Sequence, residues 1–228
     1  MKKQIGTCLM LVAVMLISAL TFASETGPSV TSEEALKKLL DGNRNFVANR
    51  LSMLDSSGPA TRRAVAPKQE PYAIILSCSD SRVPPEIIFD KGLGEIFVVR
   101  VAGNIPDPII LGSIEYAVEH FRSPLILVLG HTRCGAVQAA VEAKGRPQGN
   151  IGAIIRAIAP AVKQAEKDAG KEANSALVDA AIDKNIALVA KSLVERSSTI
   201  RSFVDKGRVK IVGAKYDLDD GTVKLLTQ

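Results

Sequence analysis

The sequence predicts an α/β fold: a central, mostly parallel sheet of four to five strands flanked by helices, with an amino-terminal helical arm. Three observations predict it. Four short apolar runs, YAIILSC (72–78), EIFVVRVAG (95–103), PLILVLG (124–130) and VKIVGAKYD (209–217), have strand length and no polar alternation. Such runs suit strands covered on both faces of a parallel sheet. Helical text separates them, and strands alternating with helices build a sheet with helical layers. The remaining length suits one sizeable core and is short for two.

The elements follow in chain order. Lys2 and Lys3 precede an apolar run from about Ile5 to Phe22, closed by the small residues Ala23 and Ser24. A positive start, a short apolar middle and a small-residue end describe a secretory signal peptide over 1–23, cleaved near Ala23. Its run sits near the lower limit for spanning a bilayer, roughly 18 residues. The mature protein is therefore expected in the periplasm or secreted, with no membrane association. Residues 24–31 read as a disordered leader, and 32–228 as a single domain. Ser32 is a candidate cap for a helix over 32–50, with Glu33 and Glu34 in its first turn and Ala35, Leu36, Leu39, Leu40 and Phe46 at helical spacing. The Ser-, Pro-, Ala- and Arg-rich 51–70 reads as a connecting segment. IILGSIEYAVEHF and CGAVQAAVEAKG are helical, as is a longer stretch from about Ile151 to Phe203, broken near Pro160. IVGAKYDLDDGTVKLL reads as a strand, an Asp-Gly turn and a final edge strand.

Composition excludes several classes. Removing the leader lysines lowers the net charge from +5 to +3, and the remaining Lys and Arg are scattered, which argues against nucleic acid. The chain has no Trp and few aromatics, so no stacking platform for single strands exists. His120, beside Glu119 and Arg122, reads as a surface residue.

The chemistry concentrates in two stretches, CSDSR at 78–82 and GHTRC at 130–134. Each follows an apolar run, so each falls at the carboxyl end of a strand, where open α/β sheets bind ligands. Cys78, His131, Cys134 and Asp80 form a set of two thiols, one imidazole and one carboxylate. Thiolate and imidazole together favour a tetrahedral zinc ion. Asp80 could be the fourth ligand, or Arg82 could hold it off through a bidentate pair and leave the position to water. Zinc-bound water ionises near pH 7, and Asp80 would then orient the resulting hydroxide. A Cys78–Cys134 disulfide, a pair of buried thiols and a closed structural zinc site are alternatives on the residues alone. The disulfide leaves His131, Asp80 and Arg82 without a role, and buried thiols do not suit two cysteines that each sit in a polar turn.

CSDSRVPPE (78–86), FVVRVAGN (97–104), SIEYAV (113–118), GHTRCGAV (130–137) and GAKYDLDDG (213–221) together resemble the β-class carbonic anhydrases. The resemblance spans about Leu36 to Leu225 and implies a β-carbonic-anhydrase-like fold. It implies reversible hydration of carbon dioxide to bicarbonate and a proton, with one Zn2+ per chain on Cys78, His131 and Cys134. Asp80 and Arg82 match the family's catalytic dyad, and Asp80 the fourth ligand of its closed form. Gln69 resembles the glutamine that hydrogen-bonds substrate. Phe97 and Tyr116 resemble the aromatic wall of a small apolar pocket shared between two subunits, and Gly103 a close backbone approach. The resemblance implies a homodimer or tetramer. Ile75 lies where some members carry a Trp of a bicarbonate site, so the open form, with Asp80 on Arg82, is expected near neutral pH. A hydrolase acting on carbonyl sulfide or carbon disulfide, and a zinc-binding protein without turnover, are competing readings. Gln69, Asp80 and Arg82 favour catalysis over the last.

Overall fold

In the computed structural model, residues 30–143, 149–169 and 175–227 are described. The predicted signal peptide, and residues 24–29 of the leader, lie outside the described residues. Five strands, β1 Ala73–Ser77, β2 Ile96–Arg100, β3 Leu125–His131, β4 Lys210–Tyr216 and β5 Val223–Thr227, form one sheet in the order β2-β1-β3-β4-β5. The first four run parallel, and β5 adds antiparallel to β4. The predicted α/β class and mostly parallel sheet are borne out.

Side chains alternate across this sheet. Ile74, Leu76, Ile126 and Val128 enter one core, under α4 Pro108–Phe121, α5 Gly135–Glu142, α6 Gly149–Ala169, α7 Ser175–Arg196 and α8 Ser198–Asp205. Ala73, Ile75, Leu125, Leu127 and Leu129 enter the other, under α1 Ser32–Val47 and the single turn α3 Pro85–Ile88. Every residue of β1 and β3 is buried, which is why their text is apolar without alternation.

The amino-terminal helix packs on its own sheet through the fully buried Ala35 and Leu39. Burying a leucine from water contributes about 2 kcal/mol. Its cap is Thr31 rather than Ser32: the Thr31 hydroxyl accepts from the Glu34 amide and the Glu34 carboxylate accepts from the Thr31 amide. This reciprocal pair needs an acid three residues after the cap, and Glu34 stands three after Thr31. The segment 51–70 is not wholly irregular, since it contains a 3-10 turn at Asp55–Ser57 and the short helix α2 Pro59–Val65. The long helical text does not break at Pro160, which lies inside α6 on its exposed face. There water can replace the hydrogen bond that proline cannot donate. Residues 170–174, outside the described residues, separate α6 from α7. No described helix is long and apolar enough to cross a membrane.

Strand order and register position the chemistry. Chain order reverses at β1, whose two neighbours are β2 and β3. Ser77 pairs with Leu129, so the residue after β1, Cys78, comes level with the end of β3, where His131 lies.

Candidate metal centre

The two thiols and the imidazole come from three successive structural devices. Cys78 is the first residue beyond β1. His131 is the last residue of β3, paired with Tyr216 of β4. Arg133, at φ +53°, turns the chain so that Cys134 becomes the cap residue of α5. This turn is anchored to the β4–β5 connection: Thr132 Oγ1 accepts from the Leu218 amide at 3.0 Å, and Arg133 forks onto Asp219 at 2.7 and 2.8 Å.

One ligand atom from each of Cys78, His131 and Cys134 lies within 4.8 Å of the other two, and all three residues are buried. The sulfurs stand 4.0 Å apart and form no disulfide. Two thiolates bound to a tetrahedral ion at about 2.3 Å would stand roughly 3.8 Å apart, so the spacing fits a zinc-sized ion. His131 supplies a second test. Its Nδ1 lies 2.9 Å from the Thr132 carbonyl oxygen, while its buried Nε2 has no hydrogen-bond partner. An Nδ1–H donated to that carbonyl leaves the Nε2 lone pair for a metal, the arrangement that orients ligating histidines. The Cys78 sulfur accepts from the Gly103 amide at 3.4 Å. The Cys134 thiol, by hydrogen bonding to Cys78, holds the Cys78 thiol well below its ordinary range, and His131 and the Gly103 amide act in the same direction. The shared proton and burial push Cys134 up. Both sulfurs bind a metal as thiolates, so a cation would displace the proton that the two share.

Asp80 lies at the rim of this group, with Oδ2 3.9 Å from His131 Nε2. It is held by Arg82 through the Arg82 amide at 2.9 Å, Nε at 3.0 Å and Nη2 at 2.8 Å. The Arg82 guanidinium keeps the Asp80 carboxyl well below the usual carboxylate range. Arg100, from the end of β2, donates to the carbonyls of Cys78 at 2.9 Å and Asp80 at 2.6 Å, which fixes the loop bearing both residues.

Three comparisons with known proteins bear on this site. The family model described as carbonic anhydrase matches residues 73–223. Carbonic anhydrase 2 of Mycobacterium tuberculosis is 41% identical over 198 residues, covering 87% of this chain and 94% of the relative. The chain belongs to the β-class carbonic anhydrases. The Coccomyxa β-carbonic anhydrase, solved in complex with acetazolamide, superposes with a TM-score of 0.68 at 28% identity, over 84% of this chain and 86% of that one. A tetrameric β-carbonic anhydrase of Sordaria macrospora shares the fold, with a TM-score of 0.68 at 23% identity over 85% of this chain and 97% of that one.

In this carbonic anhydrase the remaining predicted residues fall in two places. Gly103 lies at the metal group. Its φ of +71° and the 2.6 Å that a Cβ would leave to Ile158 Cδ1 admit only glycine without strain. Gln69 and Tyr116 line a separate cavity of about 520 Å3, together with Val65 and Phe121. Phe97 does not line it but packs against two residues that do, with its ring centroid 6.5 Å from Tyr116 and 5.8 Å from Phe121. Cys78, Asp80, His131 and Cys134 are not among the residues lining that cavity. His120 is exposed and also lines it, stacked on Tyr116 at 4.2 Å. Sequence reasoning missed Arg100 as a clamp. The signal was a lone charge closing the apolar run IFVVR.

Proposed function

We propose that this carbonic anhydrase hydrates carbon dioxide on a zinc ion held by Cys78, His131 and Cys134, with Asp80 and Arg82 as the catalytic dyad. The observation that carries the reading is the partnerless, buried His131 Nε2 facing two thiols, with a carboxylate 3.9 Å away that is already committed to Arg82. When bound, zinc supplies the Lewis acidity that makes water a nucleophile near neutral pH.

The chain's own residues would do the rest. Arg82 holds Asp80 ionised and off the metal position. Asp80, with Oδ1 taken by the Arg82 amide and Nε and Oδ2 by Nη2, keeps a second lone pair on Oδ2 to accept a hydrogen bond from the attacking water and orient it. Phe97 and Tyr116 give carbon dioxide an apolar wall that excludes bulk water, and Gln69 hydrogen-bonds an oxygen of the substrate. Tyr116 is 47% exposed in the single chain, and the cavity it lines is separate from the metal group. Both facts support a homodimer or tetramer in which a neighbouring chain brings this wall to the metal. The tetrameric Sordaria macrospora relative is consistent with that. We further propose that 1–23 is removed on export to the periplasm or medium, leaving 32–228 as one catalytic domain.

The test is stopped-flow carbon dioxide hydration by residues 24–228, with zinc measured on the same sample. One zinc per chain with turnover at pH 7 supports the reading, including an open site at that pH. Full zinc without turnover at pH 7 or pH 9 overturns it.

A further inference from the structure

Helix α7 buries an apolar face through Leu177, Ala181, Ile182, Ile186 and Val189, and in the middle of it stands Asn185, 3% exposed. An amide among aliphatic side chains is costly unless it finds a partner. Its partner lies 82 residues away: Asn185 Nδ2 donates to the Gly103 carbonyl at 2.9 Å. Gly103 in turn points its own amide at the Cys78 sulfur at 3.4 Å. The peptide units on either side of Gly103 share one residue at φ +71°, a conformation with no Cβ to stiffen it. Holding the carbonyl therefore limits the rotation that would swing the amide off the sulfur.

We infer that Asn185 is a positioning residue of the metal centre, acting from the hydrophobic core through Gly103 to fix the amide that supports Cys78. This inference rests on Cys78 being a metal ligand. An amide hydrogen bond to a ligating sulfur relieves its charge and fixes its orientation, and losing such outer support typically loosens a metal roughly 10- to 100-fold. Asn185 acts one step further out, so about tenfold is expected.

The test compares wild type, Asn185→Leu and Val189→Ala. Leucine has the same branching and number of side-chain heavy atoms as asparagine and removes the donor. Val189→Ala, one turn along α7 and 5% exposed in wild type, weakens the same packing and leaves Asn185 in place. Asn185→Ser, too short to reach the carbonyl, asks the same question if leucine is not tolerated. Zinc affinity is read by competition with a chelator, and the Gly103 amide proton is followed by NMR in reduced protein, metal-free and zinc-loaded. The expected result is a Gly103 amide proton far downfield in wild type that moves upfield in Asn185→Leu, with zinc about tenfold looser and Val189→Ala moving neither. An unchanged Gly103 amide and unchanged zinc affinity in a folded Asn185→Leu overturn the inference. So does equal loosening by Val189→Ala. If wild type takes up no zinc, the metal reading fails, and the metal-free spectra still decide whether Asn185 places the amide.

Discussion

In the proposed mechanism Asp80 and Arg82 divide their work by charge. There the carboxylate would have to stay ionised to accept from water, and the guanidinium close enough to keep it from turning onto the metal. Asp80→Asn keeps the shape and loses the proton acceptor. Turnover should fall by about 10²- to 10⁴-fold while zinc stays at one per chain, measured by stopped flow and metal analysis on one sample. Loss of zinc would instead make Asp80 a required ligand. A second prediction follows from the depressed Asp80 carboxyl. The folded state binds this proton less readily than the unfolded one, so the Arg82 contact adds stability above the unfolded value of about 3.9, and this is lost as pH falls through the lower folded value. Arg82→Leu in reduced, metal-free protein should therefore shift the urea midpoint at pH 7 and much less near pH 2. The shift is small, because Arg82 is half-exposed. Cys78, His131 and Cys134 were legible because rare residue types stood at strand ends. Asn185 was not, since a single amide in helical text has no spacing that points at a partner 82 residues away.

At the scale of elements, the end of β3 that carries His131 depends on its contact with α7. A Cβ on Gly130 would stand 2.5 Å from Ile186 Cδ1 and 2.6 Å from Ile186 Cγ1. Gly130→Ala should cost about 1–3 kcal/mol by overpacking. The same change should cost clearly less in an Ile186→Ala background, which removes both atoms. Equal costs in the two backgrounds, from chemical denaturation of the four proteins, would rule out this contact as the cause. Strands were legible by their unbroken apolar runs, and the helices between them by contrast. Helix limits were less so. Pro160 reads as a break only if its face is buried, and exposure is a property of the packed molecule. The connection after α1 was also illegible. It is held by Asp90, at φ +51°, whose carboxylate accepts from Asn45 Nδ2, the Ser52 amide and hydroxyl, and the Met53 amide. None of those partners is near Asp90 in sequence.

For the whole molecule, the proposed export and the proposed metal site pull against each other. An exported chain would meet oxidants, and Cys78 and Cys134, the two cysteines outside 1–23, lie with sulfurs 4.0 Å apart, the pKa of the Cys78 thiol lowered by its hydrogen bond with Cys134. A disulfide needs about 2.05 Å, so the two sulfurs must approach by roughly 2 Å. In air, the two thiols would give two electrons and two protons to dioxygen, forming the disulfide and hydrogen peroxide. A metal occupying both sulfurs blocks this, because neither is then free as a nucleophile. The ion would also stabilise the fold by about 2.7 kcal/mol at a free concentration 100 times its Kd. The expected outcome for residues 24–228 is that zinc-stripped protein held in air loses both titratable thiols while zinc-loaded protein keeps them, and that adding zinc after oxidation no longer raises the melting temperature. Stripped, folded protein whose thiols stay free in air would show that the fold itself keeps the sulfurs apart, and export would then need no prior loading with metal.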